Sequence, residues 1–177
     1  LKIYRKVSPS HRNITDSQSK SHFFNQRITL FKTLGLPLSF FKNKKILEIG
    51  GGTGEKALFY AFYGADVTIV EPNEKSCHVA QTIFSKTKLD NRLTIINQSL
   101  FDIDLSVIKN FDMICLEGVL PVTFQRLETL DLILKNMSPT QIIMIATGES
   151  HGMLKRDLQK MAVKKLGKSD PEKIYYY

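Results

Sequence analysis

The sequence predicts a doubly wound α/β fold with a mostly parallel sheet. Helix-like and strand-like segments alternate along most of the chain, which is typical of parallel sheets covered by helices on both faces. The strand-like segments are nearly all apolar, as expected for strands that are buried on both sides. A third observation is a loop at residues 50–54, with four glycines in five positions, between the first apolar strand and a helix-like segment.

The individual elements follow from periodicity and from their boundaries. Over residues 17–35 apolar side chains recur at helical spacing, and Gly35 followed by Pro37 predicts the end of that helix. Glycine or proline also marks most later boundaries. Apolar runs predict strands at residues 45–49, 66–70, 92–97, 111–116 and 140–147. Helices are predicted at residues 54–64, 72–88, 122–137 and 152–167, with a short helix or turn at residues 102–109.

Length and composition suit one globular domain. The chain has 177 residues, of which 42% are hydrophobic, and this is enough to bury a core. Its apolar runs fall short of the roughly 20 residues that a membrane-spanning helix needs, so we expect no membrane association. Residues 1–16 are expected to form a polar, basic lead, and residues 17–177 a single domain.

The net charge of +8 is concentrated at the two ends of the chain. Residues 1–27 carry six lysines and arginines against one acidic residue, and residues 151–177 carry seven against three. Such a surface can attract nucleic acid. The sequence lacks the interleaved aromatic and basic residues of a nucleic-acid motif, so solvated lysine-rich faces are the preferred interpretation.

The two cysteines predict neither a disulfide framework nor a metal site. Cys77 and Cys115 are far apart, form no CxxC motif and have no metal-ligand spacing to a histidine. We therefore expect reduced thiols and a cytoplasmic protein, and no metal. The first residues also lack the apolar segment of a signal peptide.

The glycine loop admits three interpretations. A phosphate-binding loop needs GxxxxGK[ST], and this chain has Glu55 where the second glycine should stand. A dinucleotide fingerprint needs GxGxxG, and Glu55 again replaces the last glycine and would face a pyrophosphate. The stretch EIGGGTG fits a third pattern, E-x-G-x-G-x-G, with an acidic residue in register before the glycines.

On this motif the chain resembles the class I S-adenosylmethionine-dependent methyltransferases. The resemblance implies that Glu48 lies near the amino-acid portion of S-adenosylmethionine and that the glycines let the backbone approach this cofactor. It also implies that Glu71, at the end of the second strand, accepts hydrogen bonds from the ribose hydroxyls. A ribose acid fits a dinucleotide site as well, so Glu71 alone does not choose between the two. The cofactor-binding residues expected here are Glu48, Gly50, Gly51, Gly52, Gly54, Glu71 and Pro72.

The later motifs of the family are weaker. After the third strand the family often has an aspartate beside the adenine, whereas this chain has Ser99 and Leu100, which we expect to supply those contacts. After the fourth strand, Glu117 and Gly118 are expected to face the cofactor. This loop is not [ND]PP[YF], which argues against methylation of the exocyclic amine of adenine or of glutamine amides.

The expected reaction is an in-line displacement at the sulfonium methyl group, which depends chiefly on alignment of the two reactants. A general base is needed mainly for acceptors with a proton of high pKa, and the candidates are Glu117, Glu149 and His151. His151 is also consistent with an ordinary exposed loop histidine. An N-terminal segment often covers the cofactor in the family, which would bring His22, Phe23 or Arg27 near the acceptor.

A small-molecule acceptor is the main hypothesis. The alternatives are a methyltransferase acting on RNA or protein through the basic ends, and a non-catalytic interaction module that keeps the fold. The family sheet usually ends in an antiparallel strand hairpin, for which about 30 helix-like residues leave no room here. The chain is therefore expected to lack that hairpin and to be a fragment truncated after the fifth strand and the following helix.

Overall fold

The computed structural model describes residues 16–120, 123, 126–147 and 158. Five strands form one sheet in the order β3-β2-β1-β4-β5, and all neighbouring pairs are parallel. The predicted α/β class and parallel sheet are thus confirmed. The strands are β1 (Lys45–Ile49), β2 (Asp66–Val70), β3 (Leu93–Ile96), β4 (Met113–Glu117) and β5 (Ile142–Ala146).

Helices connect the strands in the predicted alternation. The α-helices are α1 (Ser17–Thr33), α2 (Glu55–Phe62), α3 (Glu74–Lys86) and α4 (Arg126–Lys135). Short 3-10 helices cover Leu38–Phe41, Asp90–Arg92 and Leu105–Asn110. Side chains at the helix starts explain two boundaries, because Asp16 accepts from the Ser19 amide and Asn73 accepts from the Lys75 and Ser76 amides. The helix predicted at residues 152–167 lies outside the described residues, apart from residue 158.

The sheet separates two hydrophobic cores, as the doubly wound prediction requires. Along β1, Ile46 faces the core formed with α1, α2 and α3, whereas Leu47 and Ile49 face the core formed with α4 and the 3-10 helix Leu105–Asn110. This alternation follows from the two-residue repeat of a strand. Both faces are apolar because both are covered, which is why the strands were recognisable as continuous apolar runs.

Aromatic rings fasten α1 to the sheet. The ring of Phe31 is fully buried, lies edge-on to Phe41 at 4.9 Å between centroids, and stacks on Phe59 at 5.7 Å. Phe24 meets the same Phe59 ring at 5.2 Å. The C-terminal half of α1 is therefore part of the core, and this fixes the position of the whole helix beside the start of α2.

The order of the strands places a crevice between β1 and β4. From β1 the chain moves outward through β2 and β3, and it then returns to pair β4 on the other side of β1. In such sheets ligands bind at the carboxyl ends of the strands at this switch point. Among the described residues, no helix has the length and apolar character required to cross a bilayer.

Substitution of Phe31 by alanine tests the aromatic anchor of α1. We expect Phe31→Ala to lower the free energy of unfolding by about 3–5 kcal/mol, because the buried ring leaves a cavity between α1 and α2. Urea unfolding measures the change. Phe62→Ala is the matched control, since that ring is 55% exposed and its loss should cost much less. Equal losses for the two variants would contradict the assigned anchor.

Candidate functional site

The glycine loop follows β1 and lies at the crevice. Gly50, Gly52 and Gly54 have φ angles of +67°, +56° and +81°, a region that residues with a side chain rarely adopt. A Cβ atom at Gly50 would lie only 2.4 Å from Cγ2 of Val119 in the loop after β4. Close packing of the loops after β1 and β4 therefore requires glycine at this position.

The glycines differ in what they face. A Cβ atom at Gly51 would meet Cγ2 of Ile69 at 2.5 Å, and one at Gly54 would meet the Cβ of Ala80 at 2.9 Å. These two glycines serve packing against β2 and α3. At Gly52 no described atom lies within 4 Å of the added Cβ. Gly52 is thus the loop glycine whose backbone faces open space, where a ligand can approach.

Glu71 ties the loop to the end of β2. Its carboxylate is buried and accepts hydrogen bonds from the Gly52 amide at 2.9 Å and the Asn73 amide at 2.8 Å. The side-chain amide of Asn97 donates to the Glu71 carbonyl at 2.8 Å. The carboxylate is therefore held beside the one loop glycine that faces open space, as the expected ribose contact requires. Pro72, between Glu71 and Asn73, is half-buried.

The turn after β3 places Ser99 and Leu100 at the same edge of the sheet. Both are buried, and the Ser99 hydroxyl accepts from the Phe101 amide at 3.3 Å, while Leu100 packs into the core on the α4 side. Phe101, by contrast, is 51% exposed. The sequence interpretation overlooked Phe101, although an aromatic residue immediately after the expected adenine turn was a visible signal.

A buried ion pair links α1 to β4. The guanidinium of Arg27 donates to both carboxylate oxygens of Glu117, at 2.6 and 2.7 Å, and also to the Tyr60 hydroxyl at 2.6 Å. Tyr60 in turn donates to Glu117 at 2.9 Å. Burial alone would raise the pKa of Glu117, but the hydrogen bonds and charge of Arg27 outweigh it and lower the pKa. Burial likewise opposes the charge on Arg27, and Glu117 nevertheless raises the pKa of that guanidinium.

A second ion pair joins α2 to β1. Glu48 is fully buried at the end of β1, and its carboxylate lies 3.3 Å from the ammonium of Lys56. Lys56 also donates to the Glu117 carbonyl at 2.9 Å, so this one side chain joins the ends of β1 and β4. Burial is the largest influence on Glu48 and raises its pKa to about 7, against the opposing charge of Lys56.

Arg27, Lys56 and Glu117 border a cavity of about 400 Å³ between α1, the first turn of α2 and the end of β4. The polar members come from α1 and α2 as well as from β4, so the cavity depends on the ring contacts that hold α1. Phe23 and Leu30 contribute an apolar side. The lining residues are Phe23, Gln26, Arg27, Leu30, Glu55, Lys56 and Glu117.

The structure brings most of the expected site residues to one edge of the sheet. Gly118 follows β4 with a φ of +87° and no described atom within 4 Å of an added Cβ. Glu149 and His151 lie outside the described residues, and their roles stay predictions. Lys56 and Tyr60 were not singled out as site residues, although their spacing of four places them on one face of α2. The described residues contain no group of histidines, cysteines and acids suited to hold a metal ion.

Comparison with solved structures places this fold in a known class. A methyltransferase of Geobacter sulfurreducens, described as S-adenosylmethionine-dependent and crystallised with S-adenosyl-L-homocysteine, aligns with a TM-score of 0.53 and 19% identity over 66% of this chain and 45% of its own. PKMT2 of Rickettsia typhi in complex with AdoHcy aligns with a TM-score of 0.58 and 21% identity over 78% of this chain and 27% of its own. The PH0226 protein of Pyrococcus horikoshii OT3 aligns with a TM-score of 0.61 and 18% identity over 93% of this chain and 70% of its own.

The chain therefore has the fold of the class I methyltransferases, as the glycine motif predicted. A protein-family model described as tellurite resistance protein TehB matches residues 20–145. The chain belongs to the TehB family. It spans less than half the length of the Geobacter protein. No curated protein sequence matches it significantly.

Removing Arg27 tests the buried ion pair. We expect Arg27→Met to lower the free energy of unfolding by about 3–5 kcal/mol, because it leaves the Glu117 carboxylate buried without its cation. The double variant Arg27→Met/Glu117→Gln should recover much of this loss, since no unpaired charge remains. Chemical denaturation of the single and double variants gives the coupling energy.

The control is Lys135→Met, which breaks an exposed pair with Asp131 on α4. Exposed pairs contribute at most about 1 kcal/mol. If Arg27→Met costs no more than this control, or if the double variant simply adds the two single losses, the pair does not act as described.

Proposed function

We propose that this protein binds S-adenosylmethionine and transfers its methyl group to a small-molecule acceptor. The observation that carries the proposal is the charge of the site. Acidic groups outnumber basic ones around the glycine loop, which favours a cationic sulfonium ligand and disfavours the pyrophosphate of a dinucleotide. The described side chains concerned are the carboxylates Glu48, Glu55, Glu71 and Glu117 and the cations Arg27 and Lys56.

The electrostatic repulsion is large enough to discriminate between a sulfonium ligand and a pyrophosphate. At about 4 Å and an effective dielectric constant of about 20, two like charges repel by on the order of 4 kcal/mol. A pyrophosphate at the loop would meet Glu55 at the start of α2. The amino-acid end of S-adenosylmethionine carries a sulfonium and an ammonium against one carboxylate, so its net charge complements the site.

Each part of the cofactor has a matching group in this arrangement. Glu71, held beside Gly52, is placed to accept from the ribose hydroxyls, since a carboxylate can accept about four hydrogen bonds. Ser99 and Leu100 are the groups for the adenine, and the exposed ring of Phe101 offers a stacking surface. The amino-acid end would then point past the loop toward Lys56 and the cavity.

The sulfonium supplies a strong leaving group when the cofactor is bound, and its methyl carbon–sulfur bond breaks as the acceptor bond forms. The protein's part is to align and enclose the reactants. Phe23 and Leu30 of α1 provide an apolar wall that limits water. The Arg27–Glu117 pair sets the distance between that wall and the end of β4.

The geometry favours positioning rather than proton transfer for Glu117. Its carboxylate already accepts from Arg27 and Tyr60, and its lowered pKa makes it a weak proton acceptor. A base role for Glu117 would require Arg27 to release it. Glu149 and His151 remain the other proposed bases.

A small acceptor is favoured by the size of the cavity. About 400 Å³ is near the lower end of ligand pockets and leaves limited space once the amino-acid end of the cofactor is present. The description of the family points to tellurite as an acceptor to assay. The hypothesis of RNA or protein acceptors depends on the basic ends, which lie mostly outside the described residues. Cofactor binding without methyl transfer to any acceptor would favour the non-catalytic module.

The cellular location and the domain organisation are also proposals. Cys77 and Cys115 are both buried free thiols, which is typical of the cytoplasm. Residues 17–177 are proposed to form a single cofactor-binding domain.

A matched pair of glycine substitutions tests cofactor binding. Gly52 and Gly35 have φ angles of +56° and +71°, and at both no described atom lies within 4 Å of an added Cβ. Each alanine variant should therefore lose about 1–2 kcal/mol of stability from backbone strain. Only Gly52→Ala adds a methyl group where the cofactor must approach the loop, so we expect its affinity for S-adenosylmethionine to fall at least tenfold in calorimetry.

Gly35→Ala, between α1 and β1, should bind as well as the parent protein. Equal affinities in the two variants would show that the cofactor does not approach Gly52. Absence of binding by the parent protein would contradict the proposed function itself.

A further inference from the structure

Glu48 has an unusual environment for a carboxyl group. It is fully buried, and neither carboxylate oxygen has a hydrogen-bond partner among the described residues. Its one close cation is Lys56 at 3.3 Å, and that ammonium is directed to the Glu117 carbonyl. Buried ionised carboxylates are normally hydrogen-bonded, because the desolvation of the charge is otherwise uncompensated. Glu48 therefore lacks part of the stabilisation that an ionised group needs.

The neighbouring charges do not supply the missing stabilisation of the ionised Glu48 carboxylate. In the described part of the chain, the titratable groups that act on Glu48 or respond to it come from α1, α2 and β4. Arg27 and Glu117 neutralise one another in their bidentate pair. Tyr60 and Cys115 are neutral, since burial raises the pKa of both. Lys56 is thus the single cation available to balance Glu48.

The outcome is a carboxyl group close to its midpoint at neutral pH. Burial raises the pKa of Glu48 to about 7 and Lys56 opposes this, while the charge of Glu117 raises the pKa and that of Arg27 lowers it. An additional positive charge near the loop would shift Glu48 toward the ionised form. Under the proposed function the cofactor brings such a charge in its sulfonium, and the product does not, because its sulfur is a neutral thioether.

We propose that Glu48 makes the site select the sulfonium cofactor over the thioether product, and that Lys56 sets how much of Glu48 is ionised before the cofactor binds. This inference depends on the proposed function. The ammonium and carboxylate of the amino-acid end are common to cofactor and product, so they do not contribute to the selection. The loss of one positive charge on methyl transfer weakens the hold of Glu48 and promotes release of the product.

The sign of the pH dependence follows from linkage. A nearby cation lowers the pKa of Glu48, so binding of S-adenosylmethionine releases a proton and its affinity rises as the pH increases toward 7. Above that range Glu48 is already ionised and the affinity levels off. S-adenosylhomocysteine keeps the ammonium but lacks the sulfonium, so its affinity should rise less over the same range.

Calorimetric titrations of both ligands between pH 5.5 and pH 8.5 test the proposal. The ratio of their affinities should increase in favour of S-adenosylmethionine by about tenfold if the cofactor lowers the pKa of Glu48 by one unit. Buffers of different ionisation enthalpy should show more proton release with S-adenosylmethionine than with S-adenosylhomocysteine. In Glu48→Gln, which cannot ionise, the ratio should be independent of pH.

Variants at Lys56 separate its role from that of Glu48. Lys56→Met removes the cation, so the rise in the affinity ratio should move to higher pH, whereas Lys56→Arg should restore it. If Lys56→Met folds poorly, the double variant Glu48→Gln/Lys56→Met keeps the local charge balanced. Its ratio of the two ligand affinities should also be independent of pH.

Without any ligand, Glu48→Gln should raise the melting temperature at pH 8 and have little effect at pH 5, since only the ionised carboxylate is costly to bury.

The outcomes distinguish this inference from the proposed function. If the parent protein binds both ligands with the same pH dependence, the selection by Glu48 is wrong while the proposed function stands. An affinity ratio that still rises with pH in Glu48→Gln would also overturn it. If neither ligand binds at any pH, the proposed function fails and the inference fails with it, even where the melting temperatures behave as expected.

Discussion

The bidentate pair between Arg27 and Glu117 governs the site, because it fastens α1 to the carboxyl end of β4 while both charges are buried. Neither charge can be withdrawn from water alone without a large penalty, so the helix and the strand are held at one separation. The ring contacts of Phe31 hold α1 one turn further along. Together these contacts position the α1 side of the cavity, and Glu55 and Lys56 at the start of α2 complete its lining.

The parallel sheet explains why the carboxylates lie together around the loop. Parallel strands end at one edge of the sheet, and three of them, β1, β2 and β4, end in or beside a largely buried glutamate. Glu71 is satisfied by backbone amides and Glu117 by Arg27 and Tyr60, whereas Glu48 has only a shared lysine. The three glutamates therefore differ in how strongly the protein stabilises their ionised form. That difference gives the site a means to respond to the charge of its ligand.

The fold was predictable because strand burial and glycine placement are properties of short stretches. The apolar run of residues 45–49 and the left-handed glycines that follow it could be recognised without their partners. The pairing of Glu117 could not, since Arg27 lies 90 residues away and meets it only through the tertiary packing of α1. Without that partner in view, the sequence suggested Glu117, at the end of β4, as a general base. Nothing in the sequence around Lys56 indicated that its side chain joins the ends of β1 and β4. Ser99 was recognised as a departure from the family pattern, whereas the exposure of the neighbouring Phe101 ring was not predicted.

Under the proposed function, the edge of the sheet binds an S-adenosyl ligand through Glu71 and the loop at Gly52. A crystal structure of the protein with S-adenosylhomocysteine is the decisive measurement. We expect both ribose hydroxyls within hydrogen-bond distance of the Glu71 carboxylate, the adenine beside Ser99 and Leu100, and the amino-acid end directed to the cavity lined by Arg27 and Lys56. A ligand bound elsewhere, or a ribose turned away from Glu71, would contradict it.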